Sequence, residues 1–307
     1  MLTEKKAATI SKIYFDEGGY GSLQNTFKEA KAEDPSISYQ DVADWFQQNT
    51  QRKTQLKGYN SYIPKRAGDE YQIDLFFIND LENQKKKDNI GLMMIDAFSK
   101  FMTVVPVESK KKADVLAAIM EAVTGGMKGK WPKILYTDEE GGVYNDEIID
   151  FLEKERGTRL VATRNHAGVA ERAIRTFKNM LYKRIEASTK ENPQWTDFIS
   201  QVVVTYNYKL KHSATEMTPN EARQPDNSLN AKVNMELKAK HTRKYPDIKV
   251  GNHVRVYFKK KKGEKERVSY WSETKHKVTS ISQFMGQSYY HLEDIKRPYL
   301  RNEILKV

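Results

Sequence analysis

The chain has 307 residues, 38% of them hydrophobic, enough for two or three packed domains rather than a disordered polymer. It has no cysteine, which excludes a disulfide framework and any Cys-containing zinc site. No apolar run approaches the roughly 18 to 20 residues of a spanning helix, so no membrane partner is expected, and the N-terminus lacks a secretory pattern.

The net charge of +11 divides unevenly: residues 1–67 carry +2, residues 68–225 carry −1 and residues 226–307 carry +10. A near-neutral middle followed by a strongly basic end suits a polyanion held by one part and processed by another, while the plainer reading is solubility alone. With a pI near 9.3, nucleic acid is the partner this charge favours.

The first fifty residues read as three helices, 3–16, 24–33 and Tyr39–Asn49, the last opened by Ser38-Tyr-Gln-Asp41 at capping-box spacing. They form either a helix-turn-helix or a plain three-helix module. Residues 51–67 are expected to be a basic, extended linker carrying Arg52, Lys53, Lys57, Lys65 and Arg66.

From Tyr71 the pattern turns to strands at 71–78, 90–97 and 101–107. A helix at 111–124, a strand at 133–138, a helix at 145–155, a strand at 159–163, a long helix at 168–187 and another at 195–210 follow. Paired strands and then alternation with helices predict a mixed α/β sheet covered on both faces, spanning 68–225. Residues 226–247 are expected to be a linker of little structure. Residues 248–307 carry four short strand candidates, Val254–Phe258, Lys275–Ile281, Ser288–Leu292 and Arg301–Val307, as in a small β-barrel.

Three acids stand out. Asp74 lies within the apolar run Tyr71–Phe77, where a carboxylate is costly unless paired or metal-bound, and Asp138 ends the run Ile134–Asp138. Glu171 lies on the long helix, on a stripe with Arg175, Lys178 and Tyr182 apart from the core stripe Ala170, Ile174, Phe177, Leu181 and Ile185. Such acids, if converged, suit a divalent-metal site for phosphodiester chemistry, in which two ions roughly 4 Å apart neutralise charge on the phosphate oxygens. Plain readings stand beside each: a hydrogen-bonded structural Asp74, a solvated turn at Asp138-Glu139-Glu140, and an exposed salt bridge from Glu171 to Arg175. Asp96 is a further contender, although its place before Ser99 also suits a turn or cap.

Five segments in order resemble the DDE integrase core of retroviruses and retrotransposons and, most closely, of Maverick/Polinton elements and related DNA viruses. They are Tyr71-Gln-Ile-Asp-Leu75; Ile95-Asp-Ala-Phe-Ser-Lys-Phe101; Tyr136-Thr-Asp138; Glu171-Arg172 with Arg175-Thr176 and Lys178-Asn179; and Tyr206-Asn207, His212-Ser213 and Thr218-Pro-Asn-Glu-Ala222. The resemblance implies an RNase H-like core with a small N-terminal helical domain and a C-terminal SH3-like or chromo-like barrel. It implies Asp74, Asp138 and Glu171 as catalytic and metal-binding residues for two Mg2+ or Mn2+ ions, with no zinc. It implies DNA contacts from Arg172, Arg175, Lys178, Arg52 and Lys53, and from the basic hairpin Lys259, Lys260, Lys261 and Lys262.

Its activity would be 3′-end processing and strand transfer of element or viral DNA, by a dimer or tetramer on double-stranded DNA, in a eukaryotic nucleus or in a virion or viral factory. The 33 positions from Asp138 to Glu171 are slightly fewer than in retroviral members, and the missing cysteines exclude the family's Cys-containing zinc module; both point toward Polinton-like relatives. The rival readings are a nuclease of the same fold without strand transfer and a domesticated, non-catalytic DNA- or chromatin-binding protein.

Overall fold

The computed structural model describes residues 2–16, 18–19, 21–50, 62–79, 89–138, 142–163, 168–239, 243–258 and 270–307. Two compact units emerge from its internal contacts: residues 1–57 with 245–282 and 289–307, and residues 58–244 with 283–288.

The first unit begins with α1 (Glu4–Tyr14), α2 (Leu23–Glu33) and α3 (Tyr39–Asn49). The expected capping box forms: the Ser38 hydroxyl accepts the Asp41 N–H at 3.1 Å and the Asp41 carboxylate accepts the Ser38 N–H at 2.9 Å. Asp41 also meets the Lys6 ammonium at 2.8 Å, which holds its carboxyl well below the usual range. Ile10, Tyr14, Ile37, Val42, Trp45 and Phe46 make the core between the helices.

The C-terminal part of the chain forms an antiparallel sheet of β6 (His253–Val256), β7 (His276–Phe284), β8 (Gln287–Leu292), β9 (Ile295–Leu300) and β10 (Ile304–Lys306), ordered β10-β6-β7-β8-β9. Val254, Val256, Val278, Tyr290, Leu292 and Tyr299 fill its interior. The β-barrel-like module therefore has five strands rather than four. Ile295–Leu300 escaped the sequence pattern because Lys296-Arg297-Pro298 interrupts it, and the expected last strand is shortened by a 3-10 turn at Arg301–Glu303.

The second unit is built on a mixed sheet of β1 (Glu70–Phe77), β2 (Ile90–Asp96), β3 (Met102–Val107), β4 (Ile134–Asp138) and β5 (Arg159–Thr163), ordered β3-β2-β1-β4-β5. The first three form an antiparallel meander; β1 and β4, and β4 and β5, run parallel. Strand alternation sorts the side chains. Tyr71, Ile73 and Leu135 face a core with α4 (Lys112–Glu121) and α5 (Asp146–Asp150), each continued by one π turn. Phe76, Ile78, Met93 and Ile95 face the other core with α6 (Gly168–Glu186) and α7 (Ile199–Tyr208).

Two devices fix α6 and α7 on this sheet. Phe76 packs against Phe177 and Trp195, ring centroids 5.5 and 5.8 Å away, in space left by Gly91 directly opposite; a Cβ at residue 91 would lie 2.3 Å from that ring. The Asn207 amide, on α7, accepts the Met102 N–H at 3.0 Å and donates to the Met102 carbonyl at 2.8 Å, satisfying backbone at the edge strand β3.

The segment 226–247 is not a structureless linker. Residues Ser228–Lys238 form α9, preceded by the short α8 (Pro219–Ala222). Ala231 and Met235 are buried with Phe98 and Ala222. The sparse apolar residues hid this helix, because three of them, Leu229, Val233 and Leu237, are exposed and only two face inward.

Candidate active site

The chain leaves β1 toward β2 on one side and leaves β4 toward β5 on the other, so the carboxyl ends of β1 and β4 form a topological switch point. Open α/β sheets place ligands in the crevice at such a point. The ladder between the two strands runs through Gln72–Tyr136 and then stops, although both continue. Asp74 and Asp138 each stand two residues past that last pair. Alternation puts both on the even-numbered face that looks toward α6. Both are half-buried, where their neighbours Ile73 and Thr137 are fully buried.

Gln72 then brings the helix to the strand. Its side-chain oxygen accepts the backbone N–H of Val169 at 3.0 Å and of Ala170 at 3.2 Å. The first N–H groups of a helix have no partner within it, so Gln72 satisfies two of them and sets the start of α6 against β1. Glu171 follows immediately and is exposed. No ion pair joins Glu171 to Arg175, so the salt-bridge reading of that stripe does not hold.

The donors fit a hard divalent cation as a pair of carboxylates from adjacent strands. The three acids are not drawn into one ligand group: among the described residues, no three Asp, Glu, His or Cys side chains gather as a metal site. Residues 139–141 and 164–167, which flank β4 and α6, lie outside the described residues.

Of the expected DNA contacts, Arg172 and Arg175 are exposed along α6, and the Arg172 guanidinium folds back to the Gly168 carbonyl at 2.8 Å. Lys178 is half-buried, with its ammonium donating to the Phe77 carbonyl at 2.6 Å, a tether between α6 and β1. Arg52, Lys53, Lys259, Lys260, Lys261 and Lys262 lie outside the described residues. Asp96 is the turn residue its context allowed: it is buried and accepts from the Gly68 N–H at 3.1 Å, the Phe98 N–H at 3.0 Å and the Ser99 hydroxyl at 2.6 Å. Burial pushes its carboxyl up against these bonds.

Gln72 was missed in the sequence because an uncharged residue in a strand gives no chemical signal. The buried Glu70 was also missed; the hydroxyls of Tyr62 and Tyr136 donate to it at 2.7 and 3.0 Å, while burial raises its pKa.

No family model matches the chain. Among solved structures, a chain of the simian T-cell lymphotropic virus intasome, solved with the PP2A regulatory subunit B56 gamma, matches with a TM-score of 0.58. The match covers 92% of this chain and 94% of that one at 11% identity, which is a likeness of fold. The HTLV-2 integrase catalytic core domain, solved with magnesium, matches over 54% of this chain and 100% of its own at 16% identity and a TM-score of 0.42. In sequence, the Retrovirus-related Pol polyprotein from transposon 297 of Drosophila melanogaster is 28% identical over 144 residues, 47% of this chain. Those residues span 13% of that polyprotein.

Proposed function

We propose that the chain is a DNA integrase of the retroviral-integrase superfamily, allied to Maverick/Polinton-type elements, that trims the 3′ ends of an element's DNA and joins them to target DNA. The observation that carries this reading is the placement of Asp74 and Asp138 each two residues past the last pair of two adjacent parallel strands, at the switch point of the sheet, with Gln72 holding the first turn of α6 to the same strand as Asp74. The likeness to a transposon Pol polyprotein supports the same class.

In this reading Asp74, Asp138 and Glu171 are the residues that would hold Mg2+ or Mn2+. The ion, when bound, supplies charge neutralisation on the phosphate oxygens and an activated oxygen nucleophile. The chain's own task is positioning. The half-buried aspartates fix where negative charge sits, Gln72 holds the helix start, and the exposed Arg175 lies one turn beyond Glu171 to take a phosphate of the bound strand. Two ends must be joined together, which calls for a dimer or tetramer on double-stranded DNA. The absence of cysteine and the 33-position gap favour the Polinton-type alliance, and the setting would be a nucleus, virion or viral factory.

The test is incubation with duplex oligonucleotides bearing the element's ends and Mn2+. End-trimmed and joined products support an integrase, trimmed products alone support a nuclease, and binding without either supports a non-catalytic DNA-binding protein.

A further inference from the structure

A cleft of about 880 Å³ opens beside the first turns of α6, with Gln72 in its lining. Its wall carries Lys100, Arg172, Arg175, Lys211, His212 and Lys238 and, among the described residues, no carboxylate side chain. A row of exposed lysines is ordinarily just a solvated face, and Lys238 does pair with Glu216 at 3.1 Å. Lys100 does not fit that description. It is 8% exposed, its ammonium donates to the Ala97 carbonyl, and its backbone sits at φ +66°, the left-handed region that favours glycine. The turn it occupies would form more easily with glycine. The Asp96 carboxylate takes its hydrogen bonds from Gly68, Phe98 and Ser99 rather than from the Lys100 ammonium, while the Lys100 backbone N–H donates to the Asp96 carbonyl at 2.9 Å and the two charges attract.

The cations lie close enough to repel one another. Burial lowers the Lys100 pKa to about 8 against the attraction of the Asp96 charge, and the Arg172 charge adds a smaller push downward. Burial and then the charges of Lys100, Arg172 and Lys238 lower His212 to about 4. The His212 ring is therefore neutral near pH 7. Its Nδ1 accepts the Ala214 N–H at 3.2 Å, which places its proton on Nε2 as a donor. Concentrated positive charge, a neutral donor and, among the described residues, no acid on the wall itself form a surface that a bound polyanion neutralises beyond what Asp96 behind Lys100 and Glu216 beside Lys238 supply.

We propose that this cleft binds the phosphodiester backbone of a DNA strand, with Lys100 and His212 at its base and the exposed Arg172, Arg175, Lys211 and Lys238 around them. Its volume and the spread of its cations exceed what one phosphate needs. The ligand class rests on the integrase reading, but none of the three acids takes part in the binding.

The test uses the full chain, a fluorescently labelled DNA strand, inorganic tripolyphosphate as a free-phosphate probe, and NMR of the His212 ring. DNA is expected to raise the His212 pKa toward its ordinary 6.5. Lys211→Gln is expected to weaken binding and make the dependence of log affinity on log salt shallower by about 0.7. Lys100→Gly is expected to weaken binding while the protein melts at an unchanged or higher temperature, an outcome a structural lysine would not give. An unmoved His212 with saturating DNA, or wild-type affinity and salt slope in both variants, overturns the proposal. A His212 shift with tripolyphosphate but not with DNA overturns the DNA assignment. A chain that joins DNA ends while His212 stays unmoved loses only the cleft; one that moves His212 but joins nothing loses only the integrase reading.

Discussion

The side-chain oxygen of Gln72 accepts the backbone N–H of Val169 at 3.0 Å, tying the helix that carries Glu171 to the strand that carries Asp74. The same oxygen takes the Ala170 N–H, so one uncharged residue sets the distance between two candidate acids.

Gln72→Leu keeps much of the side chain's bulk but leaves those N–H groups without an acceptor, one of them on the buried Ala170. The expected loss is about 1–3 kcal/mol of stability. Strand transfer should fall further than stability explains, because the start of α6 is released. Urea unfolding and transfer assays on the same preparation check this; wild-type transfer would show that the tie does not position the site.

Gly91→Ala places a methyl group 2.3 Å from the Phe76 ring, which in turn supports Phe177 on α6. Overpacking of this kind costs about 1–3 kcal/mol. Adding Phe76→Leu should recover part of the loss, a coupling of at least about 0.5 kcal/mol in a double-mutant cycle. Strictly additive effects would contradict the packing described.

Asn207→Leu removes both partners of the Met102 backbone at the sheet edge. Leaving a buried donor and acceptor unmet should cost about 2–4 kcal/mol, read as a lower urea midpoint with an unchanged slope. A cost below about 0.5 kcal/mol, the range of ordinary surface substitutions, would show that water replaces the amide.

His212 gives a pH dependence of defined sign. Its folded pKa, about 4, lies below its ordinary 6.5, so the unfolded chain binds the extra proton between these values. The resulting stability is fully present above about pH 6.5 and is lost as pH falls toward about 4, on the order of 1–3 kcal/mol. His212→Gln should flatten stability against pH in that window. An unchanged profile would place the His212 pKa near its ordinary value in the folded protein.

The sequence revealed elements where one physical signal dominated. Alternation marked β1, and the Ser38–Asp41 spacing marked α3 because a capping box is a local device. It pointed to Asp74 and Asp138 because acids at the ends or middles of apolar runs are costly. It did not reveal Gln72 or the confinement of Lys100, since a strand-facing amide acquires its role only when α6 docks and a positive φ leaves no mark on residue type. α9 was hidden for a related reason: its inward face is two residues wide, and its outward apolar residues blur the helical period. That Asp138 and Asp74 stand on adjacent strands needed the parallel pairing of β1 and β4, which are separated by more than fifty residues of chain.

The most direct test compares Asp138→Asn with the unaltered chain in strand transfer of element-end oligonucleotides, with Mn2+ and with DNA binding measured in parallel. The integrase account predicts joined products from the unaltered chain and a loss of more than about a hundredfold in the variant, beyond what removing a supporting metal contact costs, with DNA binding retained. Transfer by Asp138→Asn at the unaltered rate would contradict it.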